Sequence, residues 1–372
     1  MAKVLLVSRC AWTLYNFRRG QMRVLQDDGD TLLCGGAAGD GYEEKISELG
    51  IPFVPLPVDR RSLNPVADVK LFWTLYRWYR RERPDVVHHF TIKPVIYGSL
   101  AARLARVPRI VNTVTGLGYV FTSEAVGLLR RLVEIQYRVA LAAAHYTFFQ
   151  NSEDRLLFLE RGIVRDEKAG LLPGSGVDTA HFAPRGEPDA SRTDGPVVFL
   201  MIARLLRDKG LYEFVEAARR VRARYPRAEF QLLGARDDRN PTVVSAADVE
   251  CWQSTGTVRW LGEVADVRDA ISAADVVVLP SYREGTPRSL LEAAAMRKPL
   301  ITTDAVGCRE AVDDGVNGLL VPVRDSEALA DAMITLYNDP DLRRRMGDAG
   351  RDKMVRQFEE KQVIAKVLAR YK

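Results

Sequence analysis

The chain has little of what would staple it, anchor it or hold a metal. It contains four cysteines, Cys10, Cys34, Cys251 and Cys308, spaced too widely for a CxxC redox or zinc pattern. At 372 residues it can build a core without disulfides, so no disulfide framework is expected. No apolar run approaches the ~20 residues that span a bilayer. The best, 139–149, is interrupted by His145. The apolar stretch 3–7 gives way to Ser8 and Arg9, too early for a signal-peptide core. Neither GxGxxG nor GxxxxGK[ST] occurs, and GGAAGDG at 35–41 has the wrong spacing, which disfavours a Rossmann dehydrogenase or a P-loop NTPase. Histidine is scarce: His88 and His89 are read as packed or hydrogen-bonded, and His145 and His181 as structural, with His181 in the linker also a weak site candidate. What remains is a cytoplasmic α/β protein, soluble or bound peripherally to a membrane.

Charge is unevenly spread. Residues 1–180 carry 24 Lys+Arg against 19 Asp+Glu, and so hold the whole net charge of +5. Between 60 and 109 the balance is 11 basic to 3 acidic. Such a patch suits phosphate, lipid headgroups or nucleic acid. A stacking aromatic set (Phe72, Trp73, Tyr76, Trp78, Tyr79) runs through it. A nucleic-acid reading nevertheless ranks low, because no RRM, KH or helix-turn-helix signature accompanies them.

Short apolar runs alternate with helix-period stretches. In the first half the predicted strands are Val4–Val7, Thr31–Leu33, Val86–His88, Ile110–Asn112 and Tyr146–Phe149, with helices near 17–26, 66–82, 95–106, 125–143 and 152–161. A Pro/Gly-rich interval, 173–196, lacks any period. The rhythm then restarts with strands at Val197–Ile202, Glu229–Leu233, Val276–Leu279 and Leu300–Thr302, and ends in a helical tail broken near Asn338–Pro340. This predicts βαβ units and two doubly wound α/β domains. The expected bounds are 1–180, a linker at 181–196, a second domain at 197–355, and a final helix at 356–372 packing back on the first domain.

Chemistry concentrates after strands of the second half. PSYREGTPRSLLE (280–292) leaves a strand, turns at Gly285 and enters a helix with Pro287 in its first turn. Strand carboxyl ends feeding helix N-termini are where such sheets bind ligands, and the helix start favours an anion. Glu284 and Glu292 would repel a phosphate unless they take sugar hydroxyls, which carboxylates accept in pairs. Arg204 and Lys209, five apart after the restart strand, can neutralise a diphosphate jointly.

Together with Gly176-Val177-Asp178, Phe182-Ala183-Pro184, Gly234, Gly262, Gly307 and the turn Asp314-Gly315-Val316-Asn317-Gly318, these motifs resemble the family 4 glycosyltransferases of the GT-B fold over nearly the whole chain. The resemblance implies two Rossmann-like domains facing a central cleft and retaining transfer from a nucleotide sugar. Arg204 and Lys209 match the residues that hold the donor diphosphate. Glu284 matches the acid on the donor sugar, assisted by backbone N–H groups of Gly285, Thr286 and the Pro287 turn. Glu292 matches the ribose ligand, while Gly234 and Gly262 line the donor site. No DxD of the metal-holding sort is seen, so neither metal nor cofactor is expected and the leaving group departs by front-face substitution.

The first half narrows the subgroup. Ser8-Arg9 followed by Thr13-Leu14-Tyr15-Asn16-Phe17-Arg18, the run His89–Gly98, Thr115-Gly116 with Leu117–Phe121, and GARDDRNP (234–241) resemble bacterial enzymes that extend lipid-linked oligosaccharides. The nearest type adds N-acetylgalactosamine to N,N′-diacetylbacillosaminyl-diphospho-undecaprenol. That implies a UDP-N-acetylhexosamine donor and a polyprenyl-diphosphate-linked sugar acceptor, with Asn16, Arg18, Lys93, Thr115 and Gly116 as acceptor-binding residues. Thr115-Gly116 stands where many members carry a histidine. An anionic surface on the inner face of the cytoplasmic membrane is the expected partner, met by the amphipathic segment Leu71–Arg83; no nucleic acid is expected. The competing enzyme reading is a UDP-N-acetylglucosamine 2-epimerase of the same fold.

Overall fold

The computed structural model describes residues 1–58, 64–117, 127–185, 195–237, 240 and 242–372. The chain forms two compact units, one of Met1–Ser175 with Lys361–Lys372 and one of Gly176–Glu360. Most of the expected linker, 186–194, lies outside the described residues, as do Tyr119–Phe121, Asp238, Arg239 and Pro241.

In the first unit seven strands form one sheet: β1 (Lys3–Cys10), β2 (Thr31–Ala37), β3 (Phe53–Pro55), β4 (Val86–Phe90), β5 (Arg109–Val114), β6 (Tyr146–Phe149) and β7 (Ala169–Leu171). Their order is β3-β2-β1-β4-β5-β6-β7, and every pairing is parallel. Side chains alternate across β1, so Val4 and Leu6 pack beneath the helix Ala11–Asp27 while Leu5 and Val7 pack with Leu71 and Leu75 of the helix Pro65–Glu82. Both faces are covered, which is why the strands read as unbroken apolar runs. The first helix starts at Ala11, six residues before the predicted start. The final helix, Glu360–Leu368, sets Val363 and Val367 against Val111, Phe148 and Leu172.

The second unit holds six parallel strands: β8 (Val198–Ile202), β9 (Glu229–Leu233), β10 (Arg259–Trp260), β11 (Val276–Leu279), β12 (Leu300–Thr303) and β13 (Gly318–Val321), in the order β10-β9-β8-β11-β12-β13. One apolar core spans its two faces, with Phe199 and Phe230 stacked at 5.2 Å. Arg351 ties the entering segment down by donating to the carbonyls of Thr179, Phe182 and Ala295 (2.9, 3.2 and 2.7 Å). Among the described residues, no helix is long and apolar enough to cross a membrane.

The histidine pair of β4 is part of this framework. His89 Nδ1 donates to Asn112 Oδ1 (3.0 Å), and its Nε2 accepts from the Tyr79 hydroxyl (2.9 Å). His88 meets the Tyr371 hydroxyl and Thr113 Oγ1, each at 2.7 Å, and Gln21 donates to that same Tyr371 oxygen (2.6 Å). Burial pushes both imidazoles down, His89 to about 4. A histidine held neutral in the fold but titrating near 6.5 when unfolded confers stability that is present above that value and is lost as pH falls towards the folded one. Chemical denaturation should therefore show His89 alone removing about 3 kcal/mol between pH 6.5 and pH 4. In His89→Gln the slope over that interval should be shallower, by up to one proton.

Candidate active site

In each sheet the strand order reverses direction at one place, between β1 and β4 and between β8 and β11. The connections leaving two such strands go to opposite faces, so a crevice opens at their carboxyl ends. In the second unit the predicted donor residues gather there. β8 ends just before Arg204; a short turn, Arg207–Lys209, leads through left-handed Gly210 into the helix Leu211–Arg224. β11 ends just before Pro280, and the loop to the helix Arg288–Ala295 carries Glu284 to Pro287. Pro287 sits at the cap of that helix, one residue before its first turn.

The two loops are stitched to each other. The Tyr282 N–H (2.9 Å) and the Ser281 hydroxyl (3.2 Å) both donate to the Asp208 carbonyl. A Cβ on Gly210 would overlap the Pro280 carbonyl, so only glycine fits there. The loop after β12 closes the other flank: Glu284 donates its N–H to the Val306 carbonyl (2.9 Å), and a Cβ on Gly307 would overlap the carbonyls of Glu284 and Gly285. Gly234 packs on the Ala203 carbonyl in the same way and donates its N–H to Gly262 (2.8 Å). A Cβ on Gly262 would face open space.

This stitching brings the charges together. The Lys209 ammonium donates to the Glu284 carboxylate, with the two side chains only 19% and 14% exposed. Arg204, more open, lies 3.9 Å from Asp237. Glu292 accepts from Arg288 Nε at 2.8 Å, one turn earlier on the same helix. Burial pushes the Glu292 carboxyl up, against the opposing pull of Arg288. The helix start between them has no side-chain cap, and its amide dipoles add positive potential. An acid, two cations and a helix N-terminus thus share one strand edge, a set suited to a phosphorylated and hydroxylated ligand.

Three supports of this site carry no sequence signal. Tyr282 donates to Glu213 (2.7 Å), the Arg324 guanidinium lies 4.8 Å from the Tyr282 ring centre, and the Thr303 hydroxyl donates to the Ser281 carbonyl. Each joins residues distant in sequence, and only their spatial meeting reveals them.

The predicted acceptor residues follow the carboxyl ends of β1, β4 and β5. Asn16 is inside a helix, donating to the Trp12 carbonyl (3.0 Å). Arg18 is 5% exposed and stacks on Phe90 at 4.3 Å. Lys93 is paired with Asp68 (2.7 Å), which also accepts from Tyr97 (2.8 Å). Thr115 and Gly116 follow β5 directly and are half-buried, Gly116 with φ 127°.

Gly307 offers a direct check on how these loops are built. In Gly307→Ala, left-handed backbone and the overlap with Glu284 combine, and stability should fall by about 2 kcal/mol or more in urea melts.

Residues 3–151 match the family model described as Glycosyl transferase 4-like, and residues 196–339 match Glycosyl transferases group 1. An N,N′-diacetylbacillosaminyl-diphospho-undecaprenol alpha-1,3-N-acetylgalactosaminyltransferase of Campylobacter jejuni is 29% identical over 98% of this chain and 97% of its own length. The UDP-Gal:alpha-D-GlcNAc-diphosphoundecaprenol alpha-1,3-galactosyltransferase of Escherichia coli is 28% identical over 76% of this chain and 74% of its own. Among solved structures, Anabaena HepE in complex with UDP superimposes with a TM-score of 0.78 at 19% identity, covering 99% of this chain and 98% of that one. Sucrose-phosphate synthase of Thermosynechococcus elongatus does so at 0.81 and 20% identity, with coverage of 99% and 98%. Those likenesses carry the fold, which is GT-B. With each half matched by its own model, the chain belongs to the family 4 glycosyltransferases.

Proposed function

We propose that this glycosyltransferase moves an N-acetylhexosamine, with N-acetylgalactosamine as the leading candidate, from its UDP-sugar to a sugar on undecaprenyl diphosphate, retaining the anomeric configuration and using no metal. The observation that carries the donor half is the Lys209–Glu284 pair at the β8/β11 crevice, beside Arg204 and an uncapped helix start. The acceptor half rests on the two relatives, both named for diphosphoundecaprenol-linked acceptors.

Cleaving a sugar–diphosphate bond builds negative charge on the departing phosphate and positive charge on the sugar ring. Arg204, Lys209 and the N–H groups from Gly285 through the helix start stabilise the phosphate as its charge grows. Glu284 orients Lys209 and turns its other oxygen to the sugar hydroxyls. Glu292, steadied by Arg288, takes the ribose hydroxyls, and Gly262 leaves room for the nucleotide. Asn16, Arg18, Lys93, Thr115 and Gly116 line the acceptor side. Arg18 and Lys93 act there from within their contacts to Phe90 and Asp68.

The deciding experiment offers UDP-sugars in turn, in EDTA, to short-chain polyprenyl-diphosphate sugars, with the product's anomeric configuration read by NMR. A new sugar made without any acceptor would point to the epimerase instead. Arg204→Ala and Lys209→Ala should each lower kcat roughly 100-fold, because the lost interaction strengthens towards the transition state. Glu292→Gln should weaken UDP about tenfold by calorimetry, ~1.4 kcal/mol. Its carboxyl is pushed up by burial, so ionising it costs the folded state stability as pH rises through the carboxylate range, and the glutamine variant should melt no lower than the parent at pH 7.5. Unchanged UDP affinity would remove the ribose assignment.

We also place the helix Pro65–Glu82 at an anionic bilayer. Its Leu71, Leu75, Trp78 and Tyr79 are buried in the first unit, so they are not available to lipid. The outward face instead carries Val66, Val69 and Trp73, the last 47% exposed, followed by exposed Arg77, Arg80 and Arg81. Apolar groups at headgroup depth and about 1 kcal/mol from each arginine give reversible, salt-sensitive attachment. Co-sedimentation with phosphatidylglycerol vesicles should fall at high salt and in the triple Arg77/Arg80/Arg81→Gln variant, whereas no binding at low salt would refute the placement.

A further inference from the structure

The first sheet has its own crevice, between β1 and β4, and the residues that end those two strands are unusual. In its pairing with β2, β1 runs in register to Val7↔Gly35 and resumes at Cys10↔Ala37, so Ser8 and Arg9 together face Gly36. That is a bulge, an irregularity rare in parallel pairs and characteristic of places where a side chain is re-aimed near a site. On its other edge β1 pairs with β4 as far as Val7↔His89. Arg9 in β1 and Thr91 just past the end of β4 therefore each stand two residues beyond the last matched pair, at the crevice.

Among the described residues, both hold a polar atom with no partner. Arg9 Nε is buried and makes no hydrogen bond, and Thr91 Oγ1 is buried without one as well. Thr91 also has φ 70°, left-handed backbone that a β-branched residue adopts only at a cost of roughly 1–3 kcal/mol. Its carbonyl accepts the Val95 N–H (3.0 Å), so the backbone is used to open the following helical run while the hydroxyl is not. Arg9 as a whole is half-buried, so the cost falls on its Nε, an N–H withdrawn from water without an acceptor. Strain, a bulge and two orphaned polar atoms coincide at one switch point. The missing complement is an acceptor-only, negatively charged group.

We infer that Arg9 and Thr91 form a phosphate-binding subsite and that it takes the diphosphate of the lipid-linked acceptor. The attribution to the acceptor rests on the reading under Proposed function. The donor diphosphate already has Arg204, Lys209 and a helix start in the second unit, whereas the two cations on the acceptor side, Arg18 and Lys93, are already engaged with Phe90 and Asp68. Arg9 supplies a fork of N–H donors to phosphate oxygens and Thr91 a hydroxyl donor, a geometry that lysine cannot reproduce.

The test uses the whole protein with inorganic pyrophosphate as probe and UDP at saturation, so that the donor site is filled. Calorimetry should then show one remaining pyrophosphate site, weakened tenfold or more in Arg9→Gln and measurably in Thr91→Val. Neither variant should melt below the parent, because neither side chain makes a hydrogen bond to lose. In transfer assays the Arg9→Gln change should raise the KM for a diphosphate-linked acceptor at least tenfold relative to the same sugar on an uncharged aglycone. Absence of a second pyrophosphate site, or lowered melting in both variants with pyrophosphate affinity unchanged, would overturn the subsite. Weakened UDP binding with an unaltered acceptor KM would reassign it to the donor. Should the parent protein transfer to no polyprenyl-diphosphate sugar, the functional reading fails by itself, and the calorimetric comparison still decides whether Arg9 holds an anion.

Discussion

Parallel strands can be joined only by crossovers, and in a doubly wound sheet those crossovers must part company somewhere. Everything that makes this chain chemically interesting follows from where they part. Between β8 and β11 the departing connections leave a gap whose walls are loops rather than side chains of the core. Those loops would be loose if left alone. Here they are locked by backbone overlap that tolerates only glycine, at Gly210 against Pro280 and at Gly307 against Glu284. The rigidity of the site is therefore a steric property of main chain on main chain.

Given rigid loops, electrostatics can be arranged at close range. Lys209 and Glu284 form an ion pair shielded from most solvent, where desolvation offsets much of the attraction. Such a pair adds little to stability. Its consequence is orientation: the ammonium is fixed before a ligand arrives, and a phosphate entering beside it meets a cation that need not reorganise. Glu292 and Arg288 repeat the arrangement one turn into the helix, where their four-residue spacing places both on one face. Arg204 differs in being open to solvent and only loosely associated with Asp237.

The strand rhythm was legible because buried parallel strands leave continuous apolar runs, and β8, β9, β11 and β12 begin and end within a residue or so of their predicted limits. Two-residue β10 and three-residue β3 and β7 were not, since pieces so short are defined by the neighbour they pair with and not by their own composition. The first helix begins six residues early because Cys10-Ala11-Trp12-Thr13 offers no marked cap; the Thr13 hydroxyl turns back to the Cys10 carbonyl instead (2.7 Å). Donor residues were recognisable because they cluster in two short segments. The predicted acceptor residues are scattered over the helix Ala11–Asp27, the helical run after β4 and the loop after β5, and sequence could not show that Arg18 would be covered by Phe90 or that Lys93 would find Asp68. The orphaned atoms of Arg9 and Thr91 are still less visible, being defined by what does not surround them.

A carboxyl raised by burial at Glu292, left-handed backbone at Thr91 and an unpaired Nε at Arg9 all lie next to a switch point. The two buried imidazoles of the first sheet are matched: His88 to Thr113 and Tyr371, His89 to Asn112 and Tyr79, each at 3.0 Å or less. A chain able to satisfy two adjacent buried imidazoles has the means to satisfy an arginine. That it does not do so at Arg9, two residues past the same strand pairing, is best understood as a donor kept for a ligand, with stability given up where binding needs it.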